Sequence, residues 1–224
     1  MNDTTPPPIV PAGLAIENDS FAHIDAHAGD RGVYSDAEWT VVRRLIHTSG
    51  DFEFNGITRF HPEAVNAAIA AFGRSAPILV DVSMIRAGLT PRRLKPLGVE
   101  VHHFISDPQV IVDAKAQGTT RAVQAMRHAR NTGLLEGGIV AVGNAPTALL
   151  EVLRMVREEN IKPALIVGIP VGFISAAESK DALMRETGIP WMAVSGTKGG
   201  STLTVAALHA LMDLTLISQG QKPG

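Results

Sequence analysis

Along the first fifty residues the apolar positions recur at helical spacing, and from residue 76 onward they gather into short unbroken runs. In SDAEWTVVRRLIHTSG, residues 35–50, Trp39, Val42, Leu45 and Ile46 fall on one side of a 3.6-residue period. Ser35 and Glu38 form a capping box at the start of this segment, and Gly50 supplies a left-handed stop. His47 therefore falls in the last turn of a helix, with Arg43 and Arg44 one turn earlier. SFAHIDAHAG, residues 20–29, predicts a shorter helix opened by Ser20.

The later runs, PILVD, GIVAVG, PALIVG and PWMAVS, do not alternate, are bounded by proline or glycine, and are each followed by a helical pattern. Such runs suit strands buried on both faces. GVEVHHF adds another strand, and QVIVDAKAQGTTRAVQAMRHA one or two helical pieces. Alternation of strand and helix predicts a single-domain α/β layered fold with a largely parallel sheet flanked by helices. The proline-rich leader predicts a flexible arm over residues 1–15, the domain covers 16–216, and residues 217–224 form a flexible tail.

Composition narrows the function. The 224 residues, 45% hydrophobic, are enough for a full core, and the net charge of −2 gives no whole-molecule attraction to nucleic acid or an anionic membrane. The absence of cysteine removes disulfides, thiolate metal sites and thiol catalysis, and fits a cytoplasmic protein. No apolar run approaches the roughly 18 residues of a membrane helix, and the leader lacks the features of a secretion signal.

Chemistry is offered at three strand-to-helix junctions: GNAPTALL (143–150), GIPVGFISAAESK (168–180) and SGTKGGSTLTV (195–205). In a parallel sheet such loops emerge at the carboxyl edge, where glycines admit a close ligand and helix starts offer N–H groups to anions; the same glycines and prolines also simply turn a chain. No junction spells GxGxxG, Lys198 is followed by Gly199 where a phosphate loop needs a hydroxyl residue, and no GxSxG is present around Ser175, Ser179 or Ser201. His23 and His27 are four apart but lack a third ligand, so no metal site is expected. His102 and His103 point to opposite faces of a strand, and His61, His128 and His209 read as ordinary positions. At His47 two influences oppose: the helix end favours the imidazolium, and Arg43 and Arg44 disfavour it.

Taken in order, IENDSF, RRLIHTSG, DVSMIRAGLTPRRL, GTTRAV, GNAPTALLEVL, GIPVGFISAAESKDAL and GTKGGSTLTVAALHAL resemble the precorrin-8X methylmutases of cobalamin biosynthesis, from about residue 16 to residue 214. The resemblance implies an isomerase that moves a methyl group from C-11 to C-12 of precorrin-8X to give hydrogenobyrinic acid, without a cofactor, in a homodimer whose sites lie near the subunit interface. It places the catalytic histidine on His47, a neighbouring arginine on Arg44, a substrate-contacting serine on Ser20, and a carboxylate-holding arginine on Arg121. The junction residues Gly143, Asn144, Gly172, Ser179, Lys180, Gly199 and Gly200 are the remaining candidates for substrate contact. FEFNGITRF has no firm counterpart in the family, and no residue separates the cobalt-free from the cobalt-containing route. Two rivals stand beside this reading: a tetrapyrrole carrier without catalysis, and a nucleotide-dependent oxidoreductase on the same scaffold.

Overall fold

The computed structural model describes residues 11–222; residues 1–10 and 223–224, which hold most of the expected arm and the end of the expected tail, lie outside the described residues. The described chain opens with α1 (Pro11–His27) and α2 (Asp36–Ser49), after which a single turn, α3 (Phe54–Ile57), leads into β1 (Thr58–Phe60). Helix α4 (Ala64–Gly73) precedes β2 (Ile78–Val80), and the short helices α5 (Ser83–Gly88) and α6 (Pro91–Leu97) precede β3 (Val101–His102). Two further helices, α7 (Pro108–Ala116) and α8 (Arg121–Asn131), lead to β4 (Ile139–Val142) and α9 (Pro146–Glu159). The units β5 (Leu165–Gly168) with α10 (Ala176–Met184) and β6 (Trp191–Val194) with α11 (Ser201–Ser218) complete it.

The six strands form one sheet in the order β1-β6-β5-β4-β2-β3, parallel except for β1, which runs antiparallel to β6. The chain builds outward from β2 to β3, then reverses and builds β4, β5 and β6 on the other side, so the order turns between β2 and β4. Successive residues of a strand face opposite sides. Ile78, Val80, Ile139, Ala141 and Val167 enter the core shared with α2, α4 and α11, while Leu79, Val140, Val142, Ile166 and Ala193 enter the core shared with α8, α9 and α10. Both layers are apolar, which is why the runs do not alternate.

Two expectations are corrected, and one stretch left without an element is filled. Helix α1 starts at Pro11, so residues 11–15 are helical and Ser20 lies inside the helix instead of opening it. Proline is tolerated at a first helical position, where its missing N–H has no partner to lose, and the helix is anchored on α2 by buried Ile24 and by Glu17–Arg44 and Asp25–Arg43 ion pairs. Helix α11 runs through Ser218 into the expected tail; it is long and apolar enough to cross a membrane by length and composition, with mean hydropathy 1.4, yet 67% of it is buried inside this fold. Thr204, His209 and Asp213 interrupt its apolar letters, which hid the run in the sequence. Finally, FEFNGITRF contains α3 and the edge strand β1, too short to carry a periodic pattern.

Candidate active site

Helix α2 carries the expected capping box and ends in Gly50 at φ 68°, whose N–H donates to the Ile46 carbonyl at 2.7 Å. This cap leaves His47 exposed in the last turn, where α1 crosses it. Ser20 Oγ lies 2.8 Å from His47 Nδ1, and the Phe21 ring lies 5.1 Å from the imidazole. The hydroxyl can accept from Nδ1–H of the imidazolium or donate to Nδ1 of the neutral ring; in either state Nε2 is the nitrogen left for another partner. Phe21 also lies beneath both guanidinium groups, 4.6 Å from Arg43 and 5.0 Å from Arg44.

The arginines are already paired. Arg43 donates to Asp25 at 2.7 Å, and Asp25 also accepts from Trp39 Nε1 at 2.7 Å. Burial acts to raise the Asp25 carboxyl, but the Trp39 and Arg43 hydrogen bonds outweigh it and hold the group below its ordinary value. Arg44 pairs with Glu17 and reaches Asp213 at 3.4 Å, and Asp213 is gripped in turn by Arg93 at 2.8 Å. His209 sits beside this network and accepts the Thr90 N–H at 3.3 Å. Burial, with Arg93 and Arg44 adding to it, pushes His209 down to about 3, so it stays neutral and structural.

The three junctions lie at the carboxyl edge and interlock. A Cβ on Gly143 would stand 2.5 Å from Thr204 Oγ1 and 3.0 Å from Ser201 Cα, and one on Gly199 would stand 2.4 Å from the Ile169 carbonyl oxygen. These two glycines admit a neighbouring loop, where the sequence suggested the approach of a ligand. Gly172 and Gly200 serve differently: at φ 149° and 127° they hold backbone that other residues rarely adopt. Their N–H groups donate to Thr197 and Ile169 carbonyls of the adjoining junctions. The Gly143 and Asn144 N–H groups donate to the buried Asp81 carboxylate, so they are not open to an anion, although the Asn144 side chain is exposed.

Ser179 and Lys180, candidates for substrate contact, lie beneath the surface. Both are fully buried: Ser179 Oγ donates to the Ala176 carbonyl at 2.9 Å, and Lys180 Nζ donates to the Lys198 carbonyl at 2.7 Å, pinning the glycine-rich junction from beneath. From above, the Lys198 ammonium pairs with Asp51 and Glu53, which follow the helix of His47. The junction and the end of α2 are thereby tied together.

Burial pushes Lys180 down to about 8 from 10.5. Between these values the unfolded chain binds more protons than the folded one, so stability rises with pH across that window. Lys180→Met should lack this rise, which denaturant midpoints for both proteins at about pH 7 and about pH 10 would show.

Arg121 is exposed at the start of α8, with no ion-pair partner among the described residues. The preceding Thr120 caps α8 through the Val123 N–H and contacts Thr147 of α9 at 3.1 Å, which brings Arg121 beside the β4–α9 junction. The structure therefore gathers Ser20, Arg44 and His47 in one cluster and the junction candidates with Arg121 in another. Sequence reasoning passed over Phe21, Asp25, Asp81 and Asp213. An acid ending the apolar run PILVD was a readable signal for Asp81; the others depend on contacts between distant helices. A cavity of about 530 Å³ opens beside β1, lined among others by Tyr34, Asn55 and Arg59, but His47 is not among its lining residues. His23 and His27 stack at 4.1 Å, and among the described residues no group of three or more His, Asp or Glu is arranged to hold a metal.

A doubly wound sheet with an exposed, serine-anchored histidine and interlocked glycine junctions is the frame of a single-domain α/β enzyme. The family model for precorrin-8X methylmutase matches residues 15–214. The chain is 48% identical to a cobalt-precorrin-8 methylmutase of Leptospira interrogans, over 91% of this chain and 94% of the relative. It is 42% identical to a precorrin-8X methylmutase of Pseudomonas aeruginosa, over 89% and 94%. A solved structure of precorrin-8x methyl mutase from Thermus thermophilus superposes with a TM-score of 0.84 at 46% identity, covering 91% of this chain and 98% of that one. The chain belongs to the precorrin-8X methylmutase family, and is thus an isomerase of cobalamin biosynthesis.

Proposed function

We propose that the protein moves the methyl group of precorrin-8X from C-11 to C-12, giving hydrogenobyrinic acid, with His47 as general acid. The observation that carries this reading is the Ser20–His47 contact in a chain of this family: it fixes the ring through Nδ1 and leaves Nε2 for the substrate. The reaction is an isomerisation, so the bond lost at C-11 is regained at C-12 and no electrons enter or leave. A proton placed on the macrocycle by His47 makes the conjugated system electron-poor and eases migration, and it returns to His47 afterwards. The substrate's acetate and propionate arms need cations at the rim. Arg121 has no ion-pair partner among the described residues; Arg44 serves once a substrate carboxylate competes with Glu17.

The reading includes a cytoplasmic homodimer, because His47 lies on an open face of one protomer while a tetrapyrrole needs cover on both faces. Incubating the purified protein with precorrin-8X and following the absorption spectrum through one turnover tests the activity. A spectrum that stays at the precursor would leave only a carrier. Light scattering tests the assembly. The Leptospira relative's name favours a second reading, in which the cobalt-containing precursor is the substrate, and offering both precursors together decides between them.

Arg121→Ala should weaken substrate binding by about 1.5–3 kcal/mol, the range for a charge-assisted contact, with a smaller change in the rate of the bound complex. Titration of the variant with hydrogenobyrinic acid checks this, and parental affinity would remove Arg121 from the site.

A further inference from the structure

Doubly wound sheets take their ligands in the crevice where the strand order reverses, outside the carboxyl ends of the two central strands. Here those strands are β2 and β4, and the crevice between them is spanned by Asp81, which follows β2 and is completely buried. Its carboxylate accepts three backbone N–H groups from the junction after β4: Gly143 at 3.1 Å, Asn144 at 2.9 Å and Ala145 at 2.7 Å. Helix α9 has Ala145 at its N-cap and no side-chain cap of its own, so an acid from another strand stands in for one. The sheet does not depend on this contact, because β2 and β4 are already joined by their ladder, including the Asp81 N–H donating to Ala141 at 3.3 Å. What the carboxylate fixes is the loop beyond the strands. A buried carboxylate is costly unless its acceptors are matched; burial raises the Asp81 carboxyl above its ordinary value, and the three donors offset part of that cost.

We propose that Asp81 is a positioning residue for the methyl shift, locking the β4–α9 junction and, through Gly143 against Ser201 and Thr204, the start of α11 into the shape the substrate meets. The proposal rests on the function proposed above. It also relocates the ligand: the helix start at the reversal point already holds an anion belonging to the protein. Substrate carboxylates are then received by what the locked junction presents outward, the exposed Asn144 side chain and the neighbouring Arg121.

Asp81→Asn keeps the shape but turns an NH2 group toward backbone donors, so it cannot accept all three N–H groups. The one carbonyl oxygen left takes the place of Oδ2, which serves both Asn144 and Ala145, so amide hydrogen exchange should quicken at Gly143, whose N–H then faces the NH2 group. KM for precorrin-8X should rise about tenfold, the equivalent of one such contact, with a smaller change in kcat. Asp81→Gly opens a space that formate fits, and added formate, but not formamide, should restore the parental KM and slow the exchange again. Asp81→Asn carries the test alone if Asp81→Gly fails to fold. Unchanged exchange means that the carboxylate does not hold the junction, and faster exchange at an unaltered KM makes Asp81 a purely structural pin; either result overturns the proposal. Should the parental protein leave precorrin-8X unconverted, the functional reading fails on its own, and the exchange experiment still decides whether Asp81 locks the junction.

Discussion

His47→Ala should lower the rate of methyl migration by a factor of about 10² to 10⁴, the contribution typical of a positioned general acid. The fold should survive, because the side chain is exposed at a helix end and the Gly50 cap that stops α2 does not involve it; a change of less than about 1 kcal/mol is expected in denaturation. Ser20→Ala should cost less than His47→Ala, since the serine orients the ring through Nδ1 but does not donate to the substrate. Stopped-flow absorption with precorrin-8X measures the rates, and near-ultraviolet circular dichroism verifies that packing is intact. A variant that converts precursor at the parental rate would leave His47 as a helix terminus only.

Asp213→Ala should be the most damaging change to stability, by about 3–5 kcal/mol, the range observed when one partner of a buried ion pair is removed. Asp213 is itself buried and binds Arg93 through both carboxylate oxygens, while Arg44 reaches the same group from α2. Without it, the Arg93 guanidinium, only 11% exposed, loses the charge it faces. Arg44 would retain Glu17 but lose its hold on α11, so the helix carrying His47 loosens together with the core. Urea denaturation of the two proteins gives the difference directly. A loss under about 1 kcal/mol would mean that water reaches the network and compensates it.

The strands were legible because burial on both faces leaves an unmistakable composition: PILVD, GIVAVG, PALIVG and PWMAVS became β2, β4, β5 and β6. Helix α2 was legible down to its caps, since capping is decided by residues three or four apart. Strand β1 and the true start of α1 were not. Three residues carry no period, and α1 is held by ion pairs and aromatic contacts to α2 that only the folded chain creates. The same division runs through the site. That His47 ends a helix near arginines was written locally, whereas the pairing of Arg44 with Asp213, 169 positions away, was not. The glycines of the junctions read as places where a ligand comes close, whereas the group that approaches Gly143 and Gly199 is another part of the same chain.

Helix α11 has a consequence for the order in which this protein can be made. It is the last of the described elements to leave the ribosome, and it packs against α2, α4, α5 and α6, all synthesised long before it. Until it arrives, the apolar faces of those helices, with Val42, Leu45 and Phe72 in the same core, are covered only in part, by α1 and the sheet. A nascent chain is therefore sticky for most of its synthesis, the state in which chaperones bind and aggregation competes with folding. The arrival of α11, more than the formation of any single strand, is the step at which this core closes.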